Sequence, residues 1–461
     1  MGIKWANLIR AEDGSPPVVS TGASASTAAK HSLRSRSRAL VAAAARYDPL
    51  LRNGHLLTLS SALTALFGAL YWALGAHWYT PDEVGRNSAA VSAMMFLGGV
   101  GQLNLANAMV RFVPSAGPRT GRLVGRAYLV AAAVTLLLAA GFVALVPHLS
   151  PGLDFLHTWS LGLWFVLATG GYAIFNLQDG VLTGLRRADW VALENGLFSV
   201  EKIGLLAVFA AVGTASGILV SWMVGLALSL VLTNLFVFAR ALPRHERAAP
   251  QPAADTSGLT LGYVAADYVG AMCWLAAVNL PPVIVLNRLG AADSAYFALA
   301  WLVPLALYAF SVNMGYSLIV ESARDVTRLE DYRRVLRHAG RVLALAVVAV
   351  LAVSPWALRL FGPAYAQHGL VALWLLTLSA LPNLLNTTVV ALSRARRRMR
   401  VVVGVLAGLA LLVLGLTELL LPVLGITGAG AAWLIGQSLV AAVLLWRRDW
   451  WLPAPTPRPP T

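Results

Sequence analysis

The chain has 461 residues, of which 58% are hydrophobic and only 12% charged, with a mean hydropathy of +0.70. Soluble globular chains carry about 25% charged residues, so this composition excludes that class and indicates a polytopic membrane protein. The formal net charge of +15 invites a nucleic-acid reading, but its distribution along the chain argues for membrane topology instead.

Twelve apolar runs approach the ~20 residues that a helix needs to cross the hydrocarbon core. They lie at about 55–76, 89–110, 127–147, 159–179, 191–212, 217–239, 260–285, 294–319, 340–358, 368–391, 401–421 and 428–446. Of the 35 basic residues, 31 fall on the N-terminal tail, the even-numbered connections and the C-terminus. The odd-numbered connections hold only Arg86, Arg288 and Arg359, and Lys202 alone is intramembrane. This asymmetry predicts that both termini are cytoplasmic, with some attraction of the basic surface to anionic lipid. The lone cysteine, Cys273, cannot form an intrachain disulfide and says nothing about compartment. The strong bias to arginine over lysine, together with the alanine content, fits a high-GC bacterial genome.

Residues 1–53 form a tail rich in Ser, Ala, Arg and Pro without an apolar run long enough for a signal-peptide core. Disorder is expected there, with Ala39–Arg46 as a short surface helix. The first outer connection is His77-Trp-Tyr-Thr-Pro-Asp-Glu-Val-Gly85, where Pro81 and the acids stop the first helix. Arg111 closes the second run as a cytoplasmic anchor or as a ligand for an anionic group. Asn176, Gln178 and Asp179 are too polar for a lipid-facing turn and are expected to face the interior or the cytoplasmic mouth.

The fifth run carries Glu194, Glu201 and Lys202. The two glutamates are seven apart and share a helix face. Lys202 lies about eleven residues from either end of its run, and a charge at that depth costs at least ~2.5–3.5 kcal/mol. It therefore calls for an ion pair with another helix or for a water-filled cavity. Arg240–Asp255, with Pro243, Pro250 and Pro252, reads as a linker. The seventh run carries Asp267, Asn279 and a helix-interrupting Pro281-Pro282, and the eighth carries Asn313. Small residues at 425, 428, 430 and 431 permit close helix approach near the last run, and the tail Pro453–Pro460 is Pro-rich.

The two halves echo each other. Leu392-Ser-Arg-Ala-Arg-Arg-Arg398 answers Leu182-Thr-Gly-Leu-Arg-Arg-Ala188 at an offset of 210, which also sets Asn386 against Asn176. Gly213–Gly217 answers Gly425–Gly430, and Asp82–Ser88 answers Ala292–Tyr296. A period this long is a duplicated membrane half rather than a solenoid repeat. At that offset Lys202 meets Leu412, so its polar site belongs to the first half alone.

Phe361-Gly-Pro-Ala-Tyr365, the basic Arg394–Arg400 and Leu421-Pro followed by Gly425-Ile-Thr-Gly-Ala-Gly-Ala431 resemble the polysaccharide (O-antigen-type) flippase family. That family belongs to the multidrug/oligosaccharidyl-lipid/polysaccharide exporter superfamily. Pro81-Asp-Glu-Val-Gly85 is similar to its first outer loop. The resemblance covers roughly 54–446, and the order of elements is more specific than any single motif.

It implies an all-α polytopic membrane protein of about 12 transmembrane helices in two six-helix bundles related by an internal repeat. The expected organisation is a disordered cytoplasmic basic tail at 1–53, a first bundle at 54–240, a cytoplasmic linker at 241–259, a second bundle at 260–447 and a Pro-rich cytoplasmic tail at 448–461.

The implied activity is movement of a polyprenyl-diphosphate-linked oligosaccharide from the inner to the outer leaflet of a bacterial plasma membrane, by alternating access. Partners would be the lipid-linked oligosaccharide, membrane lipids and the glycosyltransferases or polymerase that handle the same glycan, with no nucleic acid. On this reading Lys202 and Arg111 meet the diphosphate. Asn176, Asn386, Asn279 and Asn313 bond sugar hydroxyls, and Glu194, Glu201 and Asp267 carry protons or Na⁺ or neutralise the basic groups. No cofactor, metal site or catalytic residue is expected, because the chain has no P-loop pattern and no metal-ligand spacing of histidines.

Two rivals stand beside this reading. A cation-coupled multidrug exporter of the same superfamily would want a cavity dominated by acids and aromatics. A membrane polysaccharide polymerase or ligase would need larger outer loops than those carrying Arg86, Arg288, Arg359, His148, His157 and His368.

Overall fold

The computed structural model describes residue 64 and residues 66–248, 261–322 and 329–451, without the side chains of 313–322 and 329–335. The expectations for the N-terminal tail, the start of the first apolar run, most of the linker and the end of the C-terminal tail lie outside these residues, as does the side chain of Asn313.

The chain is an all-α, multi-pass membrane protein. Among the described residues nine helices are long and apolar enough to cross a membrane, and two bent helix pairs bring the total to eleven. Each apolar run from the second to the twelfth has its counterpart. The first half holds α1 (66–78), α2 (Pro81–Gly101), α3 (Leu105–Phe112), α4 (Thr120–Leu149), α5 (Trp159–Gly184), α6 (Ala188–Val212), α7 (Gly217–Phe236) and α8 (Leu242–Ala248). The second holds α9 (Leu261–Asn279), α10 (Pro281–Leu289), α11 (Ala291–Ser322), α12 (Leu329–Arg359), α13 (Pro363–Leu378), α14 (Ala380–Ala395), α15 (Met399–Leu424) and α16 (Ile426–Trp446).

Several boundaries differ from expectation for identifiable reasons. The first outer connection shrinks to Tyr79 and Thr80, because Pro81 starts α2 rather than a loop. Thr80 and Glu83 form a capping box, with the Glu83 amide donating to Thr80 Oγ1 at 3.3 Å and the Thr80 amide to Glu83 Oε2 at 2.9 Å. Pro281-Pro282 interrupts the seventh helix as expected, α9 ending at Asn279 and α10 beginning at Pro281 within one span. Pro281 takes the first position of α10, where no N–H is required, and Gly262–Leu289 runs as one span of 28 residues. Residues 242–248 of the expected linker are helical, continuing from a π-helical turn at Val237–Ala241.

The repeat has a backbone signature. Arg186 and Arg397 both take left-handed φ values, 59° and 56°, in the turns after α5 and α14. In each turn the next amide reaches back five residues at 2.8 Å, Arg187 to the Leu182 carbonyl and Arg398 to that of Ser393. The spatial offset is therefore 211 at this turn, one more than the motif alignment. Gly225 on α7 packs on the backbone of Lys202, and Gly436 on α16 packs on Leu412 and Val413. The two closing hairpins thus use a glycine in the same way.

Helix α2 joins the halves. At the end away from the arginine-rich turns, one apolar core includes Val84, Val91 and Leu153 from the first half and Leu286, Ala295 and Phe361 from the second. Gly85 lies against the Ala291 carbonyl so closely that a Cβ would overlap it. Nearby, Asn287 Oδ1 accepts from Ser150 Oγ and from the Gly152 amide, both at 3.1 Å. At the arginine-rich end the first half has a separate core around Met109, Val113, Val124, Leu182 and Leu242.

Toward that end α2 breaks. Leu103 and Asn104 adopt φ values of 55° and 56°, and α3 leaves at 49° to α2. Non-glycine residues enter this region at a cost, so the break is imposed by its surroundings. Gly101 presses on Thr135 of α4, while Asn104 reaches across to α9.

Candidate functional site

The break in α2 faces α9 and α14, and the three meet through Asp267. Arg394 Nε donates to Asp267 Oδ1 at 2.9 Å, and Asn104 Nδ2 donates to Oδ2 at 3.0 Å. Tyr268, the next residue, donates its hydroxyl to the Val100 carbonyl at 2.8 Å. A residue from each half thus bonds one carboxylate, and both of its oxygens are occupied. Arg394 spends only Nε on the pair, and its other guanidinium N–H groups have no partner among the described residues.

Arg394 also lines a cavity of about 390 Å³, within the range of small-molecule sites. Gln102 enters from the α2 break, Trp274 and Leu275 from α9, Asn383, Asn386 and Thr387 from α14, and Leu406 and Leu409 from α15. The polar wall is pre-ordered. Asn386 Nδ2 donates to the Gln437 carbonyl at 2.9 Å and to its Oε1 at 2.7 Å. Thr387 Oγ1 donates to Asn383 Oδ1 at 3.2 Å, and Gln437 Nε2 approaches the same oxygen at 3.3 Å. Asn386 Oδ1 and Asn383 Nδ2 stay buried without a partner among the described residues.

The other expected site residues are scattered. Lys202 is buried, 8% exposed, in the first half. Its ammonium lies 5.1 Å from the Tyr71 ring centroid and 4.8 Å from that of Phe198, with no ion pair among the described residues. It is separated from the Arg394 cavity, whose lining takes only Gln102 from the first half.

Arg111 is exposed in the last turn of α3. Asn176 and Asn279 each donate at 3.0 Å to a carbonyl of their own helix, Tyr172 and Leu275. Glu201 accepts from Ser229 Oγ at 2.7 Å. Glu194 is 1% exposed, and neither of its carboxylate oxygens has a partner among the described residues. It lies within electrostatic reach of Asp179 and Tyr128, each of which also carries an unpartnered buried oxygen.

Of the expected set, then, only Asn386 and Asp267 belong to the cavity and its mouth. Arg394, Asn104, Asn383, Thr387 and Gln437 were not foreseen. Asn104, Asn383 and Gln437 carry a local signal, as amides inside the second, tenth and twelfth apolar runs.

No family model matches the chain, and no curated protein sequence matches it. Among solved structures, the fold is similar to an inward-facing multidrug resistance MATE family transporter of the MOP superfamily. The TM-score is 0.57 at 15% identity, over 84% of this chain and 94% of that one. An outward-facing conformation of such a transporter gives 0.55 at 14% identity, over 87% and 94%. The lipid II flippase MurJ in an inward closed conformation gives 0.65 at 14% identity, over 86% and 87%. At these identities the likeness is one of fold.

Proposed function

We propose that this protein is a membrane transporter that moves a polyprenyl-diphosphate-linked oligosaccharide from the cytoplasmic to the outer leaflet. The arginine-rich turns face the cytoplasm on this reading. The halves share their apolar core at the outer end, whereas toward the inner end they meet through the Asn104–Asp267 and Tyr268–Val100 bonds; on this reading the Arg394 cavity beside those bonds is loaded from the inside. Glycosyltransferases working on the cytoplasmic leaflet would supply the substrate.

The observation that carries the substrate class is the unequal use of the ion pair. Asp267 has both oxygens filled, whereas Arg394 keeps donors free toward the cavity. The site therefore offers positive charge and amides rather than a free carboxylate. Guanidinium donors match phosphate oxygens, and the Asn383–Asn386–Thr387 wall matches sugar hydroxyls. A cavity of this size takes the diphosphate and the sugar next to it, while the rest of the glycan and the lipid tail stay outside. An inside-negative potential would favour outward movement by ~2.3 kcal/mol per negative charge per 100 mV.

Export of cationic drugs is the second reading. The apolar wall of Trp274, Leu275, Leu406 and Leu409 favours it, as does the fold shared with multidrug transporters over 94% of their length. Deleting the gene and assaying lipid-linked oligosaccharide by leaflet separates the two. Accumulation on the cytoplasmic face supports flipping; no accumulation together with new sensitivity to cationic drugs supports drug export.

A further inference from the structure

Two further cavities lie along α15 beside the Arg394 site, the first sharing Val405 with it, and nothing in the transport reading uses them. One is an apolar groove of about 510 Å³ between α15 and α16, floored by Gly404 and Gly408 and walled by Leu412, Leu439 and Val443. The other, of about 480 Å³, is lined by Tyr263, Arg397, Arg398 and Arg400. The two share Arg400 and Val401 as a common wall. We propose that this joined head-and-tail cavity is a specific binding site for an anionic phospholipid of the inner leaflet.

The dimensions fit one leaflet. From Val401 to Leu412 the helix rises about 16 Å at ~1.5 Å per residue, against a half-thickness of about 15 Å for the hydrocarbon core. The groove is open because Gly404 and Gly408 carry no side chain and nothing lies within 4 Å of where their Cβ atoms would be. Apolar walls along that length suit acyl chains.

Charge selects the headgroup. Among the described residues, the lining of the two cavities includes three arginines and no carboxylate. Arg398 Nη1 donates to the Trp450 carbonyl and Arg396 Nη1 to that of Trp451, both at 2.7 Å, which fixes the turn and sets Trp450 at the mouth of the groove. Arg400 is exposed and has no partner among the described residues, so its guanidinium is available to a phosphate. Tryptophan at headgroup depth is a usual interfacial anchor.

The test is native mass spectrometry of the full chain in detergent with equal amounts of phosphatidylglycerol and phosphatidylcholine of matched acyl chains. The wild type should retain phosphatidylglycerol by about fivefold over phosphatidylcholine, the ratio expected for one basic group at the headgroup. Arg400→Gln should bring the ratio close to one. Gly404→Leu with Gly408→Leu should lower retention of both lipids, since nothing lies within 4 Å of either Cβ position and the longer side chains extend into the groove. Equal retention of the two lipids by the wild type, or unchanged retention in both variants, would overturn the proposal. So would displacement of phosphatidylglycerol by an equimolar polyprenyl phosphate, which would make the groove a subsite for a carrier lipid.

Discussion

Gly85 on α2 rests against the Ala291 carbonyl at the start of α11, leaving no room for a Cβ. This contact closes the two halves together at the end away from the arginine-rich turns. Gly85→Val should hold them apart. With Cys273 replaced, spin labels at Asp154 and Arg359, both exposed at that end, should report a longer distance in the variant than in the parent. An unchanged distance would mean that α2 shifts to absorb the side chain and that this closure is softer than it looks.

Lys202 is held by aromatic faces instead of a carboxylate. A desolvated cation–π contact is worth about 2 kcal/mol, so two rings together offset the ~2.5–3.5 kcal/mol cost of an intramembrane charge. Methionine has a similar reach and also packs well on rings. Lys202→Met should therefore keep both the unfolding midpoint and the transport rate. A variant that folds as the parent does but no longer transports would place the ammonium in the mechanism, in line with the role the sequence alone suggests.

Asn176 and Asn386, which the motif alignment sets against each other, are bonded differently. Asn176 donates to its own helix, whereas Asn386 ties α14 to α16 through Gln437. Asn386→Ala orphans a buried amide oxygen and should cost about 1–2 kcal/mol of stability, with Asn176→Ala costing less. Thermal unfolding in detergent measures both; equal costs would contradict the asymmetry.

Much of the fold was legible because span length reports the thickness of a bilayer. The turn at Arg186 and Arg397 was legible too, since its Arg-Arg pair recurs. The site was not. The Arg394–Asp267 pair joins residues 127 apart, and Arg394 stood in a run of arginines that topology alone would explain. The break at Leu103–Asn104 has neither glycine nor proline at those positions; packing of Gly101 on Thr135 and the bond from Asn104 impose it. Pro81 misled in the opposite direction, because a proline that interrupts one helix also starts the next.

Glu194, with Asp179 and Tyr128 beside it, is the strongest candidate for coupling transport to a cation. Its oxygens have no partner among the described residues, so Glu194→Gln should leave the fold intact while uncoupling transport from the proton or sodium gradient. Transport measured in vesicles under imposed gradients tests this. A gradient response equal to the parent's would remove Glu194 from the coupling.

The central claim is that Arg394, rather than Asp267, meets the substrate. Both Arg394→Gln and Asp267→Asn break the ion pair, so they share its structural cost and differ in the charge left facing the cavity. The leaflet distribution of lipid-linked oligosaccharide should be compared in cells carrying each variant at equal expression. Losing a charged hydrogen bond to phosphate costs about 1.5–3 kcal/mol, so Arg394→Gln should slow flipping by roughly tenfold or more. Asp267→Asn, which frees the guanidinium, should keep most of the activity. The reverse order, with Asp267→Asn inactive and Arg394→Gln active, would contradict the account and point to a cationic substrate.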